Sequence, residues 1–142
     1  MSIPNDSPTR TGGCLCGQVR YTVPREPLAT VICHCRNCQK QAASAFSVVT
    51  VFLRDSLHLQ GELRTYEDQG TSGQAVLRQF CPNCGSPVLT DNKRAREQGI
   101  IFVKAGTFDE VDDLKPTTHY WTKRAHPWLQ LPDNAELLDQ ES

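Results

Sequence analysis

Seven cysteines in a chain of 142 residues fall into three short clusters. The clusters are Cys14-Leu15-Cys16, Cys33-His34-Cys35-Arg36-Asn37-Cys38 and Cys81-Pro82-Asn83-Cys84. Cysteines two or three positions apart can direct two thiolates at one ion, and zinc takes four such ligands in a closed site or three in an open one. The number and spacing of the cysteines therefore predict one structural metal site and one reactive metal site.

The first and third clusters together supply four thiolates. Gly85 follows the third cluster and allows a sharp turn in which backbone amides can hydrogen-bond to the sulfurs. A metal shared by these two clusters closes a long loop, which stabilises a small domain effectively. The predicted ligands of this structural zinc are Cys14, Cys16, Cys81 and Cys84.

The second cluster supplies Cys33, Cys35 and Cys38. Three thiolates on zinc leave the fourth position for water or substrate, which is typical of a catalytic zinc site. Because three thiolates outweigh the two positive charges of the ion, we expect donors such as Asn37, Lys40 or backbone amides beside them. The pattern predicts an open, catalytic-type site.

Other arrangements of the cysteines stay open at this point. The second cluster could be a structural site completed by His34 or another residue, or a redox or metal-free cluster. A ribbon site could instead combine the two C-x-x-C pairs, Cys35 with Cys38 and Cys81 with Cys84, and leave three cysteines unused.

The histidines are less informative than the cysteines. In an extended chain His34 points away from its cysteine neighbours, which makes it a supporting or exposed residue. His119 either reaches a cleft or hydrogen-bonds in the core. His58 and His126 are expected on the surface or in loops.

The elements that must position these clusters are mostly short strands. Alternating or β-branched runs bounded by turn residues predict strands over 18–23, 30–32, 46–53, 57–60, 64–67, 75–80, 87–90 and 100–105. Segment 37–45 can form a turn or two of helix, the charged segment 93–96 is predicted as a loop, and the chain beyond Asp109 as irregular. The pattern predicts a small, mainly β, antiparallel domain with little helix.

The predicted domain organisation is a single domain over residues 12–132. The polar, proline-containing segment 1–11 is predicted to be a flexible tail, and the acidic segment 133–142 a second tail.

The composition excludes several classes of function. With 15 basic and 16 acidic residues the net charge is −1, which lacks the basic footprint of nucleic-acid binding. No run of apolar residues resembles a secretory signal or reaches the length of a membrane span. We therefore expect a cytoplasmic protein that binds neither nucleic acid nor membranes, and in that reducing compartment clustered cysteines are metal ligands more often than disulfides.

Three segments of the sequence, together with its last aromatic residues, carry a resemblance to a known family. The segments are Gly13-Cys14-Leu15-Cys16-Gly17-Gln18-Val19-Arg20-Tyr21, Cys33-His34-Cys35-Arg36-Asn37-Cys38-Gln39-Lys40 and Phe80-Cys81-Pro82-Asn83-Cys84-Gly85, followed by His119-Tyr120-Trp121 and Pro127-Trp128-Leu129. On these residues the chain resembles the glutathione-dependent formaldehyde-activating enzyme family, which shares its domain with a vertebrate centromere-associated protein. The resemblance covers residues 12–132. Gln39 and Ala43 stand where the family often has arginine and glycine.

This resemblance implies an Mss4-like β-tent of stacked antiparallel sheets, stabilised by zinc. It implies a structural zinc on Cys14, Cys16, Cys81 and Cys84 and a second, more easily lost zinc on the catalytic residues Cys33, Cys35 and Cys38. The implied activity is that of a carbon–sulfur lyase, which condenses formaldehyde with glutathione to S-(hydroxymethyl)glutathione.

The expected partner is a small-molecule substrate, with glutathione as a candidate. Two other functions stay open. The chain could be a zinc enzyme of the same fold that acts on another small electrophile without glutathione, or a non-catalytic, zinc-stabilised interaction module.

Overall fold

Short strands make up most of the chain, as the alternating sequence pattern predicts. The computed structural model describes residues 8–70 and 72–140. The strands within these ranges are β1 Thr9–Gly13, β2 Arg20–Pro24, β3 Ala29–Cys33, β4 Ser47–Leu53, β5 His58–Gln60, β6 Arg64–Gln69, β7 Ala75–Phe80, β8 Pro87–Asn92, β9 Ile100–Lys104, β10 Thr118–Tyr120 and β11 Glu136–Leu137. The two α-helices are α1 Arg36–Ala42 and α2 Lys93–Gln98.

The strands form two sheets. The smaller has the order β1-β2-β5, and the larger has the order β11-β10-β3-β4-β9-β8-β7-β6. Nearly all neighbouring strands are antiparallel, but β10 runs parallel to both β3 and β11. The chain beyond Asp109, predicted to be irregular, therefore contributes two strands to the larger sheet. At three and two residues, they are too short to produce an alternating pattern.

The core lies between the two sheets. Tyr21 and Val23 of β2 point toward Phe52 of β4 and Val103 of β9, and all four side chains are buried. The Phe108 ring lies edge-on to both Tyr21 and Phe52, with ring centroids 6.2 Å apart in each case. Burying side chains of this size stabilises the fold by about 1.5–3 kcal/mol each. This contact joins the two sheets.

The other face of the larger sheet stays open. Because side chains alternate along a strand, the neighbours of the core residues point away from the core. Val49 and Val51 of β4 and Phe102 of β9 are only half-buried there. This face forms the floor of a cleft.

The predicted N-terminal tail, residues 1–11, is longer than the structure allows. Residues 1–7 lie outside the described residues, but β1 begins at Thr9 and pairs with β2. Arg10 is buried because its guanidinium forms an ion pair of 2.7 Å with Asp113 and lies over the ring of Phe108. A polar residue buried in this way gives no strand signal in the sequence.

The predicted acidic tail, residues 133–142, is also partly built into the sheet. Strand β11 pairs with β10, and the Leu138 amide donates a hydrogen bond of 2.9 Å to the His119 carbonyl. Residues 141–142 lie outside the described residues. The extent of the single domain, 12–132, stays a prediction.

Helix α2 replaces the loop that was predicted at 93–96. Its signals are local: the Asn92 side chain accepts a hydrogen bond from the Ala95 amide at 2.7 Å, and Gly99 ends the helix at φ +73°. The loop was predicted from the run of charged residues, without regard to these two caps. Within the described ranges, neither α1 nor α2 has the length or apolar character needed to cross a membrane.

Candidate metal centres

The structure brings Cys14, Cys16, Cys81 and Cys84 together, and we call them the four-cysteine cluster. The Sγ atoms of Cys14 and Cys16 are 3.6 Å apart, those of Cys16 and Cys81 are 3.8 Å apart, and all four lie within 4.8 Å of one another. A tetrahedral zinc with Zn–S bonds of about 2.3 Å requires sulfurs about 3.8 Å apart. The spacing of the four sulfurs therefore fits a zinc ion.

A tight turn after β7 arranges the second half of this cluster. The amides of Asn83 and Cys84 donate to the Cys81 sulfur at 3.4 and 3.5 Å, and Gly85 adopts φ +80° to complete the turn. Hydrogen bonds from Ser86 are the largest cause that lowers the pKa of Cys84, to about 5. Amides and a hydroxyl aimed at sulfur favour thiolates, the form that binds metal.

The end of β3 and the start of α1 position Cys33, Cys35 and Cys38, which we call the three-cysteine cluster. Cys33 is the last residue of β3, and Cys35 is the N-cap of α1, where its sulfur accepts a hydrogen bond of 3.2 Å from the Cys38 amide. The three Sγ atoms lie within 4.8 Å of one another and all three residues are half-buried. This grouping does not support the alternative ribbon site. None of the seven cysteines, which all lie in the described ranges, forms a disulfide.

Only the three-cysteine cluster faces the cleft, which has a volume of about 840 Å³. The apolar part of the cleft floor comes from β3, β4 and β9, and is formed by Ala29, Val31, Val49, Val51, Ile100 and Phe102. Among the described residues that line the cleft, none is acidic and five are basic: Arg36, Arg78, Arg94, Lys104 and Arg124. This basic lining could not be predicted from the sequence because the five residues come from separate elements.

Lys104 is a buried lysine at the cysteine end of the cleft. It is the last residue of β9, with an exposure of 6%, and its Nζ donates to the Ser47 Oγ at 2.7 Å. Ser47 in turn lies opposite Cys33 in the pairing of β3 with β4. Burial lowers the pKa of Lys104, and the negative charge of the nearby Cys38 thiolate raises it.

Positive charge accumulates beside Cys38. Its pKa is lowered to about 2, first by hydrogen bonds from Cys33 and Cys35 and then, against the effect of burial, by the charges of Lys104 and Arg78. The three-cysteine cluster therefore favours a thiolate at Cys38, the form that a metal ligand requires, while hydrogen bonds with Cys35 and Cys38 raise the pKa of Cys33.

Of the donors expected beside this cluster from the sequence, a backbone amide, that of Cys38, donates to a sulfur, whereas the side chains of Asn37 and Lys40 have other positions. Asn37 donates to the Asp68 carboxylate at 3.1 Å, and Lys40 is exposed and outside the cleft. Lys104 and Arg78 supply the charge instead. They are distant in sequence, so short-range spacing could not identify them.

His34 is fully buried and points away from the three-cysteine cluster. Its Nε2 is 2.9 Å from the Nδ1 of His119, and the two rings stack with centroids 5.2 Å apart. Burial lowers the pKa of both histidines. The pair joins β3 to β10 in the interior, so His34 does not complete the metal site, and His119 hydrogen-bonds in the core.

Gln39 anchors α1 to the C-terminal part of the chain. Its buried amide donates to the carbonyls of His34 at 2.7 Å and Arg124 at 2.9 Å, and its Oε1 lies 3.1 Å from the His126 Nε2. The Trp128 indole donates to the other ring nitrogen of His126 at 3.1 Å. These contacts fix the helix that carries Cys38.

Two residues near the three-cysteine cluster adopt left-handed backbone conformations that are unusual for their type. Ala43, which caps α1, has φ +52°, and Trp121, which lines the cleft, has φ +59°. Such conformations cost about 1–3 kcal/mol each and occur often at functional sites. Comparable positions around the four-cysteine cluster are occupied by glycine, such as Gly85.

The stacked sheets and the two cysteine clusters define an Mss4-like β-tent protein whose clusters could bind zinc. A model of the glutathione-dependent formaldehyde-activating enzyme family matches residues 9–124, and the chain belongs to this family. No curated protein sequence matches the chain.

A crystal structure of a Rhodobacter sphaeroides protein, determined as a structural genomics target, has a similar fold. Its TM-score is 0.55 at 20% sequence identity, and the alignment covers 72% of this chain and 91% of that chain. At this identity the similarity is one of fold alone.

Proposed function

We propose that this protein binds two zinc ions and forms or breaks a carbon–sulfur bond between a thiol and an aldehyde. The proposed reaction is of the S-(hydroxymethyl)glutathione synthase type. The observation that carries the proposal is that the three-cysteine cluster faces a cleft, whereas the four-cysteine cluster does not line it. Family membership supports the same function.

Cys33, Cys35 and Cys38 would hold the catalytic zinc, and the four-cysteine cluster the structural one. A zinc ion with an open position polarises a carbonyl oxygen or binds a substrate thiolate. The residues around the three-cysteine cluster contribute charge: the Lys104 ammonium, held by Ser47, and the Arg78 guanidinium lie at the same end of the cleft. They would stabilise the negative charge that develops on a carbonyl oxygen when sulfur attacks the carbon.

The proposed step is an addition, so nothing is oxidised or reduced. A carbon–sulfur bond forms, the carbonyl π bond breaks, and the thiol proton ends on the new hydroxyl group. A thiol that carries carboxylates, as glutathione does, suits the basic lining of the cleft. The side chains of Arg94 and Arg124 are exposed in the described structure, with no acidic residue along the cleft beside them.

The proposal is tested by the rate at which the adduct of formaldehyde and glutathione forms and dissociates. Exchange spectroscopy by NMR measures this rate with zinc-loaded protein and without protein, because the uncatalysed reaction is itself rapid. We expect acceleration by the wild-type protein, and none by a Cys35→Ser variant that keeps its circular dichroism spectrum. A Lys40→Met variant, which changes an exposed residue outside the cleft, should retain the wild-type rate.

Two results would contradict the proposal. One is a rate equal to the uncatalysed rate for every thiol and aldehyde tried, which favours an interaction module. The other is acceleration that is independent of the thiol, which favours a zinc enzyme acting on another electrophile without glutathione.

A further inference from the structure

Along the open face of the larger sheet, the side chains change from reactive ones at one end to apolar ones at the other. Cys33 lies opposite Ser47 in the pairing of β3 with β4, and this is the reactive end. The next row contains Val31 and Val49, and Val49 also lies opposite Lys104 of β9. From here the floor continues away from the cysteines with apolar side chains.

The following row is entirely apolar over three strands. Ala29, Val51 and Phe102 lie side by side in the registers of β3 with β4 and of β4 with β9. Ile100 continues the floor beyond Phe102. From Cys33 to Ala29 the strand advances four residues, which corresponds to about 13 Å at about 3.3 Å per residue.

The side chains of this floor are unusually exposed for apolar residues. The six apolar residues of the floor are half-buried, whereas Phe52 of β4 and Ile101 and Val103 of β9, which point to the opposite face, are buried in the core. A concave, apolar surface next to a few polar groups is typical of a small-molecule site, and its volume of about 840 Å³ lies in the range of such sites. A one-carbon aldehyde would leave nearly all of this surface in contact with water.

We propose that the natural substrate carries an apolar arm at its reacting centre, and that the arm lies along this floor for up to about 13 Å. The inference rests on the proposed function and specifies its substrate class: a thiol–aldehyde adduct with a hydrocarbon chain of several carbon atoms. The arm could come from the aldehyde or from the thiol, and the experiment separates the two sources.

The test measures kcat/KM in two series with the zinc-loaded protein. The first combines glutathione with straight-chain aldehydes from formaldehyde to hexanal, and the second combines formaldehyde with alkanethiols of increasing length. Each methylene group that reaches the floor should raise kcat/KM about twofold to fourfold, because burying it removes apolar surface from water. A rise in the first series identifies the aldehyde as the source of the arm, and a rise in the second identifies the thiol.

Variants of the floor show whether the cleft produces this dependence. Val51→Asp places a charge on the floor, and Val51→Thr changes its polarity while keeping the shape of the side chain. Both should reduce the ratio of kcat/KM between hexanal and formaldehyde, Val51→Asp at least tenfold and Val51→Thr less. Val111→Asp is the matched control: Val111 is 47% exposed, lies outside the cleft, and its substitution should leave the ratio unchanged.

The binding of unreactive mimics of the adduct tests this inference independently of the proposed function. Calorimetry compares S-hexylglutathione with S-methylglutathione, and we expect tighter binding of the hexyl compound that Val51→Asp abolishes. If formaldehyde is turned over but both series are flat and both mimics bind equally, the inference is wrong while the proposed function stands. If no aldehyde is turned over but the hexyl compound still binds more tightly, the proposed function is wrong.

A second copy of this chain on the apolar floor would also overturn the inference. Light scattering coupled to gel filtration tests this possibility. If the wild-type protein is a dimer, and Val51→Asp converts it into a monomer while Val111→Asp does not, the floor is a surface for protein association.

Discussion

The four-cysteine cluster and the three-cysteine cluster use the same side chain at nearly the same spacing, but they differ in where their ligands originate. In the four-cysteine cluster, Cys16 and Cys81 are 65 positions apart in sequence and their sulfurs are 3.8 Å apart. In the three-cysteine cluster all ligands come from one turn at the junction of β3 and α1. Only the second group faces the cleft.

This difference assigns different tasks to the two clusters. A metal that joins distant segments removes more conformational freedom from the unfolded chain than one that joins neighbouring residues, so the four-cysteine cluster should dominate stability. A cluster built from neighbouring residues adds less to stability, and here it borders a cleft with a basic lining. We therefore propose that one cluster serves the fold and the other serves the chemistry.

Substituting one ligand in each cluster should give the largest difference between the clusters, and this difference is in the free energy of unfolding. Structural zinc sites contribute about 10–16 kcal/mol in small zinc domains, which matches or exceeds the stability of about 5–15 kcal/mol of an ordinary domain. Cys81→Ser should therefore leave most of the protein unfolded at 25 °C, whereas Cys35→Ser should lower the free energy of unfolding by less than about 2 kcal/mol. Urea denaturation followed by circular dichroism measures both. Equal destabilisation by the two variants would eliminate the distinction between the clusters.

The next largest expected effect is on zinc affinity, and it comes from removing the buried charge beside the three-cysteine cluster. Lys104→Met eliminates the ammonium that is held by Ser47 near Cys38. Losing a partner of this kind typically reduces metal affinity about 10-fold to 100-fold. Competition with a chromogenic chelator should show this loss for the more labile zinc alone.

The matched control for this variant is Lys40→Met. Lys40 is on α1 but exposed and outside the cleft, so its substitution should leave both zinc affinities unchanged. The free energy of unfolding should not fall in Lys104→Met, because methionine fills the space of a buried charge whose one side-chain hydrogen bond among the described residues goes to Ser47. A loss of affinity at the four-cysteine cluster, or an equal loss in both variants, would contradict this role for Lys104.

The smallest effect concerns the backbone strain at the end of α1. Ala43 adopts φ +52°, a conformation that glycine reaches at no steric cost. Ala43→Gly should raise the free energy of unfolding by about 1 kcal/mol, whereas Ala42→Gly, one residue earlier inside the helix, should lower it by about 0.5–1 kcal/mol. Thermal unfolding at a fixed zinc concentration measures both. Destabilisation by Ala43→Gly would show that the helix end is not strained.

The features that local sequence patterns encode could be predicted. The spacing of the cysteines within each of the three clusters is a local feature of the sequence, and strands such as β4 and β7 follow from alternating or β-branched runs. In the same way the helix after Cys35 was expected near its actual position. These elements depend on interactions between residues that are close in sequence.

The features that depend on distant contacts could not be predicted in this way. Lys104 approaches the three-cysteine cluster because β9 pairs with β4, and β10 lies beside β3 through a three-residue parallel contact. His34 is buried because His119 offers it a hydrogen-bond partner from 85 positions away. Each of these placements requires the sheet order, which single-sequence patterns do not determine.

The most direct test of the two tasks is to count zinc during stepwise chelation. Freshly purified protein is dialysed against chelators of increasing strength, and at each step zinc content, tryptophan fluorescence and the unfolding midpoint are measured. We predict two zinc ions per chain. When the first ion is removed, the activity should be lost, while the tryptophan fluorescence and the unfolding midpoint stay close to their starting values. The second should leave only as the protein unfolds. Simultaneous loss of both ions, or unfolding upon loss of the first, would contradict the division between a structural and a reactive cluster.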